Sequence, residues 1–560
     1  MKNKYYDLID QTFDFPQDEF RTEDGELFFH DIPLMEIIKQ YGTPLKITYL
    51  PKISSQIQRA KRLFNVAIAK TDYRGTYNYC YCTKSSHFAF VLEEALKNDI
   101  NLETSSAFDI NLIQELHAQG LIDKDKVIVC NGFKKDQYIE NIVGVFDDGF
   151  HNVIPVLDNK NEYRTLDSML VKQSEPMCLG IRIASEEEPK FDFYTSRLGI
   201  RYNDIVSFYE EQVKPNPKFR FRMLHFFINT GIRDTAYYWN ELAKCVNVYC
   251  DLKRVCPDLD SLNIGGGFPC KVSLAANYDY EYMAEEILAQ IKNICTLRGV
   301  EEPDIFTEFG SFTVGESGAT LYSVLDQKQQ NDRELWYMID SSFITTLPDT
   351  WGINQRFIML PINHWDSEYQ RVFLGGLTCD SEDYYNADSH ANAIFLPKLQ
   401  KDNPLYIGFF HTGAYLSVIV QRQVVAHILE RMNFFEPQST DKSEFHVKDT
   451  VVVIALQTEV HTAVANGFAG CRGVGYGLQP LHRLRIVDIG VIKTTLRHLY
   501  QSTHFKVGTT GIADIVYLGV RWDITQAIDD INGSNACDFN GNTREILLGK
   551  FPFLFFCDDN

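Results

Sequence analysis

The chain has 560 residues, of which 45% are hydrophobic and 23% are charged, and its formal net charge is −21. This length favours two or more domains. The acidic balance argues against general binding to nucleic acids or to anionic membranes. No run of about 18 apolar residues is present, and the N-terminal residues lack the apolar core of a secretion signal. The 13 cysteines are scattered through apolar runs. That pattern is typical of free thiols, so we expect a cytoplasmic protein.

From residue 76 onwards, short apolar runs alternate with amphipathic stretches in which apolar residues recur every three or four positions. Eight strand–helix units of this kind predict an α/β fold, namely a (β/α)8 barrel of the TIM type. A doubly wound open sheet is the alternative that the pattern leaves open. The predicted strands cover residues 76–84, 100–106, 126–132, 152–159, 178–184, 223–231, 261–268 and 304–310.

The helical pattern ends near residue 310, and strand-like and loop stretches follow it. A helix, a polar linker and a strand are expected over residues 416–456. The predicted regions are an N-terminal segment that adds to a β-domain (1–45), the barrel (46–310), a β-rich second domain (311–430) and a C-terminal region of unknown role (431–560).

In barrels of this type the active residues lie where the strands end. A single polar residue at a strand end is usually structural, because the chain turns there. A ring of such residues with complementary charges indicates a site instead. The predicted strand ends carry Lys84, Glu103, Asn131, Asp158, Arg182, Asn229 with Thr230, Gly265–Gly267, and Glu308.

Three of these features suit one cofactor. A lysine amine such as Lys84 can form a Schiff base with an aldehyde. The backbone of Gly265–Gly267 can approach a phosphate closely, because no Cβ blocks it. An acid such as Glu308 can keep a pyridine nitrogen protonated. Each feature is weak alone, since a triple glycine is usually a turn, but together they indicate a site for pyridoxal 5′-phosphate.

Longer motifs carry a family resemblance. The chain resembles the fold-type III pyridoxal-phosphate decarboxylases and, within them, the arginine decarboxylases. The resemblance covers about residues 30 to 415. The motifs that carry it, in chain order, are "CTKSS", "LETSSAFDI", "VIVCNGFKKDQYI", "IRIASEEEPKFDFYTSRLGI", "LNIGGGFP", "LPDTWGINQRFIMLP", "GGLTCDSEDYY" and "HTGAY".

The resemblance implies a role for each site residue. Lys84 would form the Schiff base, Glu308 would pair with the pyridine nitrogen, and Arg182 would lie near the cofactor ring. Further cofactor contacts are implied for Glu103, Phe227, Thr230, Gly265, Gly266, Gly267 and Tyr415. Of these, the three glycines, Thr230 and Tyr415 would hold the phosphate.

In the same family, a cysteine and an aspartate reach the site from the opposite subunit. Cys379 would then return a proton to the substrate carbon after carbon dioxide leaves. Asp380 would bind the distal cationic end of the substrate, for which a carboxylate suits a guanidinium. The resemblance thus implies a homodimer with shared sites. No metal site is assigned, and Mg²⁺, which some similar enzymes use, has no support in the sequence.

The expected reaction is the decarboxylation of L-arginine to agmatine and carbon dioxide in polyamine biosynthesis. Two alternatives stay open. One is another basic amino acid as substrate, namely diaminopimelate, lysine, ornithine or carboxynorspermidine. The other is a non-catalytic regulatory homologue. Two departures from the family pattern bear on cofactor binding: Phe227 stands where relatives have a ring-stacking histidine, and Ser311 where they often have an arginine near the phosphate.

Overall fold

The structure, a computed structural model, describes residues 19–415 apart from five short gaps, and only the backbone of six short strands beyond them. The gaps are residues 171–174, 187–194, 275–276, 354 and 386–393. The expected helix after residue 416 lies outside the described residues.

The elements of the described part are named here in chain order. The strands are β1 (Phe20–Glu23), β2 (Glu26–Phe29), β3 (Ile32–Pro33), β4 (Leu45–Tyr49), β5 (Tyr77–Cys82), β6 (Asn101–Thr104), β7 (Ile128–Cys130), β8 (Val153–Leu157), β9 (Met177–Arg182), β10 (Phe219–His225), β11 (Ser261–Asn263), β12 (Asp304–Thr307), β13 (Gly318–Asn331), β14 (Glu334–Ile339), β15 (Ile358–Pro361), β16 (Tyr369–Arg371), β17 (Phe373–Gly375), β18 (Phe395–Pro397), β19 (Tyr406–Phe410), β20 (Glu444–Val447), β21 (Thr450–Ala455), β22 (Asp514–Tyr517), β23 (Val520–Asp523), β24 (Glu545–Leu547) and β25 (Leu554–Phe556). The helices are α1 (Leu34–Tyr41), α2 (Leu50–Thr71), α3 (Ala89–Leu96), α4 (Ala107–Ala118), α5 (Asp136–Asp147), α6 (Lys160–Met169), α7 (Tyr202–Phe208), α8 (Ala236–Val255), α9 (Tyr280–Arg298), α10 (Gly310–Val314), α11 (Phe343–Thr346) and α12 (Pro348–Gly352).

Strands β5 to β12 form a closed parallel barrel in which each strand pairs with the next one in the chain. The barrel closes where β12 pairs with β5, with Ile305 opposite Tyr77. The structure has a strand at each of the eight predicted places, and the closure excludes the open-sheet alternative. The bounds differ most for β10, which ends at His225, whereas the predicted strand runs from residue 223 to 231. Because the strands are parallel, their carboxyl ends meet at one mouth of the barrel.

Helix α2 shows why the amphipathic stretches fold as helices around the barrel. Its buried residues follow steps of three and four, so they share one face of the helix. Pro51 lies in its first turn, and Asp72 ends it in a left-handed conformation. The buried residues on this face include Ile53, Ile57, Ala60, Phe64 and Ala67.

The second domain is built on a mixed set of strands from before and after the barrel. Its main sheet has the strand order β15-β19-β13-β4-β21-β20, and β14 and β17 extend it at β13. Strand β4 pairs with β13 in an antiparallel register that sets Thr48 opposite Gly318. This arrangement is the β-rich second domain that the sequence predicts. The exact limits of the predicted regions stay predictions.

A buried ion cluster lies where α2, the N-terminal segment and the second domain meet. The ammonium of Lys52 lies 2.7 Å from Glu19 and 2.9 Å from Glu316. His411 donates from Nδ1 to the carbonyl oxygen of Lys271, and its Nε2 lies 3.3 Å from Glu19. Both glutamates are almost fully buried, so Lys52 supplies the charge that compensates them.

Cys270 lies at the edge of this cluster. Its Sγ and one ligand atom each of Glu316 and His411 lie within 4.8 Å of one another, a spacing compatible with a metal ion. The position between the carboxylates is taken by the Lys52 ammonium, which bonds to Glu316 itself. We therefore describe the cluster as an ion-pair network.

No helix of the described residues combines the length and the apolar character needed to cross a membrane. The ten cysteines of the described residues are all free thiols, and eight of them are buried. This agrees with the free thiols expected from the sequence.

Replacing Lys52 with methionine tests the ion cluster, because it keeps the side-chain length and removes the charge. Two buried carboxylates would lose their counter-ion, so the free energy of unfolding should fall by about 3–5 kcal/mol at neutral pH. Burial raises the pKa of Glu19, but His411 and Lys52 outweigh it and lower that pKa below its usual 4.5. The stability from this charge is present above pH 4.5 and is lost as the pH falls further.

The deficit of Lys52→Met should therefore shrink below pH 4.5 in denaturant unfolding series. Arg62→Met, on the exposed face of the same helix, is the matched control and should change stability by less than about 0.5 kcal/mol. Equal stabilities for the two variants would contradict the role given to Lys52.

Candidate active site

Lys84 lies at the barrel mouth, in a single tight helical turn (Thr83–Ser85) that follows β5. Its Nζ donates to both carboxylate oxygens of Glu103, at 2.7 and 2.8 Å. The contact forms because β5 and β6 pair with Cys82 opposite Glu103. The Glu103 side chain is fully buried, whereas 30% of the Lys84 side chain is exposed. The amine can thus be reached from the mouth while its counter-ion is shielded from water.

Glu308 follows β12 and is held by neutral side chains from other strands. Asn131 and Asn263 each donate from Nδ2 to its Oε1, at 2.7 and 2.5 Å. His225 Nε2 lies 3.8 Å from the other oxygen, which is too long for a hydrogen bond. The same Asn131 amide also donates to Glu103 at 3.0 Å. Lys84, Glu103 and Glu308 are therefore joined into one network.

The protonation states follow from these contacts. Burial works to raise the pKa of Glu308, but His225, Lys84 and the Asn131 amide outweigh it and lower that pKa to about 2. Burial also works against the charge on Lys84. Nevertheless Cys82, Glu103 and Glu308 together raise the pKa of Lys84 well above its usual value. Burial lowers the pKa of His225. At neutral pH the mouth therefore holds the Glu308 carboxylate and the Lys84 ammonium.

The glycine triplet follows β11 and lies against the loop that carries Thr230. Gly265 and Gly267 have φ angles of +68° and +125°, which L side chains rarely adopt. Gly267 accepts a hydrogen bond from the Ile232 N–H at 3.0 Å. A Cβ on Gly266 would lie 2.5 Å from the carbonyl oxygen of Glu308. The triplet is therefore required for a close approach of backbone segments at the barrel mouth, and its contact with a phosphate stays a prediction.

Arg182 and Phe227 lie beside the triplet. The Arg182 guanidinium is 5.6 Å from the centre of the Phe227 ring, a cation–π distance. A Cβ on Gly265 would come within 3.0 Å of the same ring. The phenylalanine that replaces the expected histidine thus lies in the mouth, and the imidazole of His225 lies below it, fully buried.

Tyr415 returns from the second domain to the mouth. Its backbone N–H donates to the carbonyl oxygen of Ser85 at 3.0 Å, next to Lys84. Its hydroxyl packs so closely on Gly310 that no Cβ would fit there. Ser311, the other departure from the family pattern, is half-buried in the short helix α10. The predicted phosphate ligand from the second domain therefore lies at the barrel mouth.

Cys379 and Asp380 lie on a loop of the second domain. Cys379 is exposed, and the loop is held by the buried Asp383. The Asp383 carboxylate accepts hydrogen bonds from Thr378 Oγ1 at 2.6 Å and from Phe343 N at 2.8 Å. The loop is thus fixed in shape, while the function of its two named residues in a partner's site stays a prediction.

Two asparagines of the site have no role that the sequence predicts. Asn131 is predicted only as the end of a strand, and no motif points to Asn263. Asn263 also accepts from the Gly265 N–H at 2.9 Å, so it ties the glycine loop to Glu308. Both residues lie at the carboxyl ends of barrel strands, and that position is the signal that could have found them.

These side chains fit pyridoxal phosphate. An amine, an ionised acid after the neighbouring strand, an arginine and a glycine loop are the groups that its aldehyde, pyridine nitrogen, ring and phosphate require. Asn131 Oδ1 and both nitrogens of His225 are buried and have no hydrogen-bond partner among the described residues. Fold and site together define a barrel enzyme of the pyridoxal-phosphate class.

Comparison with known proteins narrows this class. Residues 51–315 match the model of a family described as pyridoxal-dependent decarboxylase, pyridoxal binding domain. The match covers the barrel, so the barrel is similar to the pyridoxal-binding domain of the pyridoxal-dependent decarboxylases, which are carboxy-lyases.

Curated relatives have a low sequence identity to this chain, but the alignments cover most of both chains. "Biosynthetic arginine decarboxylase 2" of Synechocystis is 22% identical over 69% of this chain and 77% of its own length. "Arginine decarboxylase 1, chloroplastic" of Arabidopsis thaliana is 21% identical over 69% of this chain and 70% of its own length.

Solved structures share the fold. A biosynthetic arginine decarboxylase from Campylobacter jejuni superimposes with a TM-score of 0.61 at 18% identity, over 73% of this chain and 85% of its own. A diaminopimelate decarboxylase from M. jannaschii in complex with L-lysine has the same TM-score at 17% identity, over 71% and 89%. At these identities the likeness establishes the fold.

Asp383→Asn tests how the loop of Cys379 is held. The amide presents an N–H₂ group to donors that now bind a carboxylate, so buried donors lose their acceptor. We expect the free energy of unfolding to fall by about 2 kcal/mol or more in denaturant titrations. Asp332→Asn, in the exposed turn between β13 and β14, is the control and should have no measurable effect. Equal effects would show that Asp383 does not support the loop.

Proposed function

We propose that the chain decarboxylates L-arginine to agmatine and carbon dioxide as a step of polyamine biosynthesis. The observation that carries the proposal is the convergence of Lys84, Glu103 and Glu308 at one barrel mouth, beside the glycine triplet. The arginine decarboxylases among the matched relatives support the choice of substrate.

Pyridoxal phosphate, when bound, supplies an aldehyde that bonds to amines and a pyridine ring that takes up the electrons released with carbon dioxide. In this proposal Lys84 holds the aldehyde, and Glu308 keeps a proton on the pyridine nitrogen. The glycine triplet, Thr230 and Tyr415 hold the phosphate.

Lys84 must lose a proton before its amine can act as a nucleophile. Glu103 is the acceptor in contact with it, through both oxygens. Arg182 and Phe227 lie next to the glycine loop, and in this proposal the apolar Phe227 ring limits water on that side of the site. A poorly hydrated pocket favours loss of the substrate carboxylate, because carbon dioxide leaves uncharged and the electron pair of the broken bond would be spread over the cofactor ring.

In this proposal the second domain completes the site of a partner subunit. The Cys379 thiol returns a proton to the substrate α-carbon, and the Asp380 carboxylate pairs with the guanidinium through charge-assisted hydrogen bonds. The exposed position of Cys379 supports a role outside its own barrel. The proposed assembly is a cytoplasmic homodimer with two shared sites.

Another basic amino acid is the second candidate substrate. Structures with the same fold include a diaminopimelate decarboxylase in complex with L-lysine and a lysine decarboxylase from Selenomonas ruminantium. A non-catalytic homologue is less well supported, because Lys84, Glu103 and Glu308 keep a connected network at the mouth.

Carbon dioxide release from a panel of amino acids tests the proposed activity. We expect kcat/KM for arginine to exceed the values for lysine, ornithine, diaminopimelate and carboxynorspermidine by about tenfold or more. A higher value for another basic amino acid would replace arginine as the substrate. Lack of release from every amino acid, with the cofactor bound, would favour the regulatory homologue.

Lys84→Ala is the control for the panel. After borohydride treatment, the wild-type protein should retain the cofactor through denaturation, because the bond to Lys84 is reduced. Lys84→Ala should release it. Retention of the cofactor by the variant would refute the role of Lys84, whatever the substrate.

Mixing two inactive variants tests the shared site. Lys84→Ala and Cys379→Ala should each lose about a hundredfold or more in kcat, since both groups handle reacting atoms. Unfolded and refolded together, they should recover about a quarter of wild-type activity, because half of the dimers are mixed and each has one intact site. Absence of recovery, with mixed dimers present, would contradict function in trans.

A further inference from the structure

Asn131 lies at the end of β7, between the two glutamates of the mouth. Its Nδ2 is 3.0 Å from Glu103 Oε1 and 2.7 Å from Glu308 Oε1. A side-chain amide has two N–H bonds, and both are used here, one on each carboxylate. Asn131 is 5% exposed, so its amide bonds to the two carboxylates in a site that is shielded from solvent. The opposite amide orientation would set its oxygen against two carboxylates, which fixes the assignment.

The two carboxylates have a like-charge conflict. Both are buried, and each charge disfavours ionisation of the other. Burial raises the pKa of Glu103, and the charge of Glu308 raises it further, while Lys84 lowers it. Two buried acids this close often keep one shared proton. A donor that bonds to both at once favours the state in which both are ionised.

The proposed function, on which this inference rests, needs both charges at the same time. Glu103 must act on the Lys84 amine, and Glu308 must act on the pyridine nitrogen at the far end of the ring. We propose that Asn131 is a positioning residue that keeps Glu103 and Glu308 ionised together and directs each to its own end of the cofactor.

Asn263 provides the comparison within the same site. It donates to Glu308 at 2.5 Å, and its oxygen accepts from Gly265 N, so among the described contacts it bonds to only one of the two glutamates. Asn131 bonds to both glutamates. We therefore expect different effects when each amide is removed.

Other groups near the pair bear on any pH dependence. They come from strand β5 and the turn after it, from strands β7, β9 and β10, from helix α5 and from the Tyr415 loop, and all are kept unchanged in the variants below. The titratable and charged groups are Lys84, Cys80, Cys82, Cys130, Tyr138, Arg182, His225 and Tyr415.

Two measurements on the cofactor-loaded protein, neither of which uses a substrate, test the proposal. The first is the pH midpoint of the visible absorbance change of bound pyridoxal phosphate, which reports on the charge at the Lys84 nitrogen. The second is the dissociation constant of pyridoxal phosphate. In Asn131→Leu one glutamate takes up a proton, so the cation on Lys84 is less stabilised. We expect the midpoint to fall by about one pH unit and the affinity to fall about tenfold.

Asn131→Asp keeps the shape and replaces the donor with acceptors, so its shifts should be at least as large. If Asn131→Leu fails to fold, the same two measurements on Asn131→Asp test the proposal. Asn263→Leu removes a donor from Glu308 alone, so it should weaken cofactor binding and lower the midpoint by clearly less than Asn131→Leu does.

A double-variant cycle separates positioning from a general structural effect. Glu103→Gln removes one of the two like charges. In that background there is no repulsion between the two carboxylates for Asn131 to offset. We expect the effect of Asn131→Leu on cofactor affinity to be at least about threefold smaller there than in the wild type. Additive effects, or an unchanged midpoint in both Asn131 variants, would overturn the proposal.

These outcomes are separate from the proposed activity. If the coupling is found and no amino acid is decarboxylated, only the proposed activity fails. If arginine is decarboxylated and the Asn131 variants keep the wild-type midpoint and affinity, only this inference fails.

Discussion

The contact of the Lys84 amine with the Glu103 carboxylate depends on two neighbouring strands that end level with each other. Cys82 lies opposite Glu103, so the turn after β5 brings the amine onto the acid of β6. Closure of the barrel then brings β12 next to β5, and Glu308 reaches the same mouth. An open sheet would leave those strands at opposite edges. The closed ring is thus the constraint from which the site follows.

The two buried glutamates of the barrel mouth are stabilised in different ways. Lys84 compensates Glu103, whereas Glu308 is bonded by the neutral amides of Asn131 and Asn263. Neutral donors stabilise a carboxylate without cancelling its charge, so Glu308 keeps the negative charge that the proposed pairing with a protonated ring nitrogen requires. Burial, which would otherwise favour neutral acids, is offset by these directed hydrogen bonds.

The second domain holds the mouth from outside the barrel. Strand β4 enters the barrel segment and β13 leaves it, and the two pair with each other, so both ends of that segment are fixed in one sheet. Lys52 pairs with Glu19 of the N-terminal segment and with Glu316, which follows Glu308 in the chain, so it links these two parts. Tyr415 returns along the same side to the turn of Lys84. Stability of the domain junction and geometry of the site are therefore linked.

The sequence by itself determined the eight strands and the polar groups at their ends, because periodicity and strand ends are local properties. The chemistry of pyridoxal phosphate then indicated Lys84, the glycine triplet and Glu308 among those groups, and the family motifs implied a role for each. Only the tertiary structure decided that one amide of Asn131 bonds two glutamates, and that Lys52 lies between two buried acids. Such contacts join residues far apart in the chain, and strand register and side-chain distance, which no local pattern encodes, determine them.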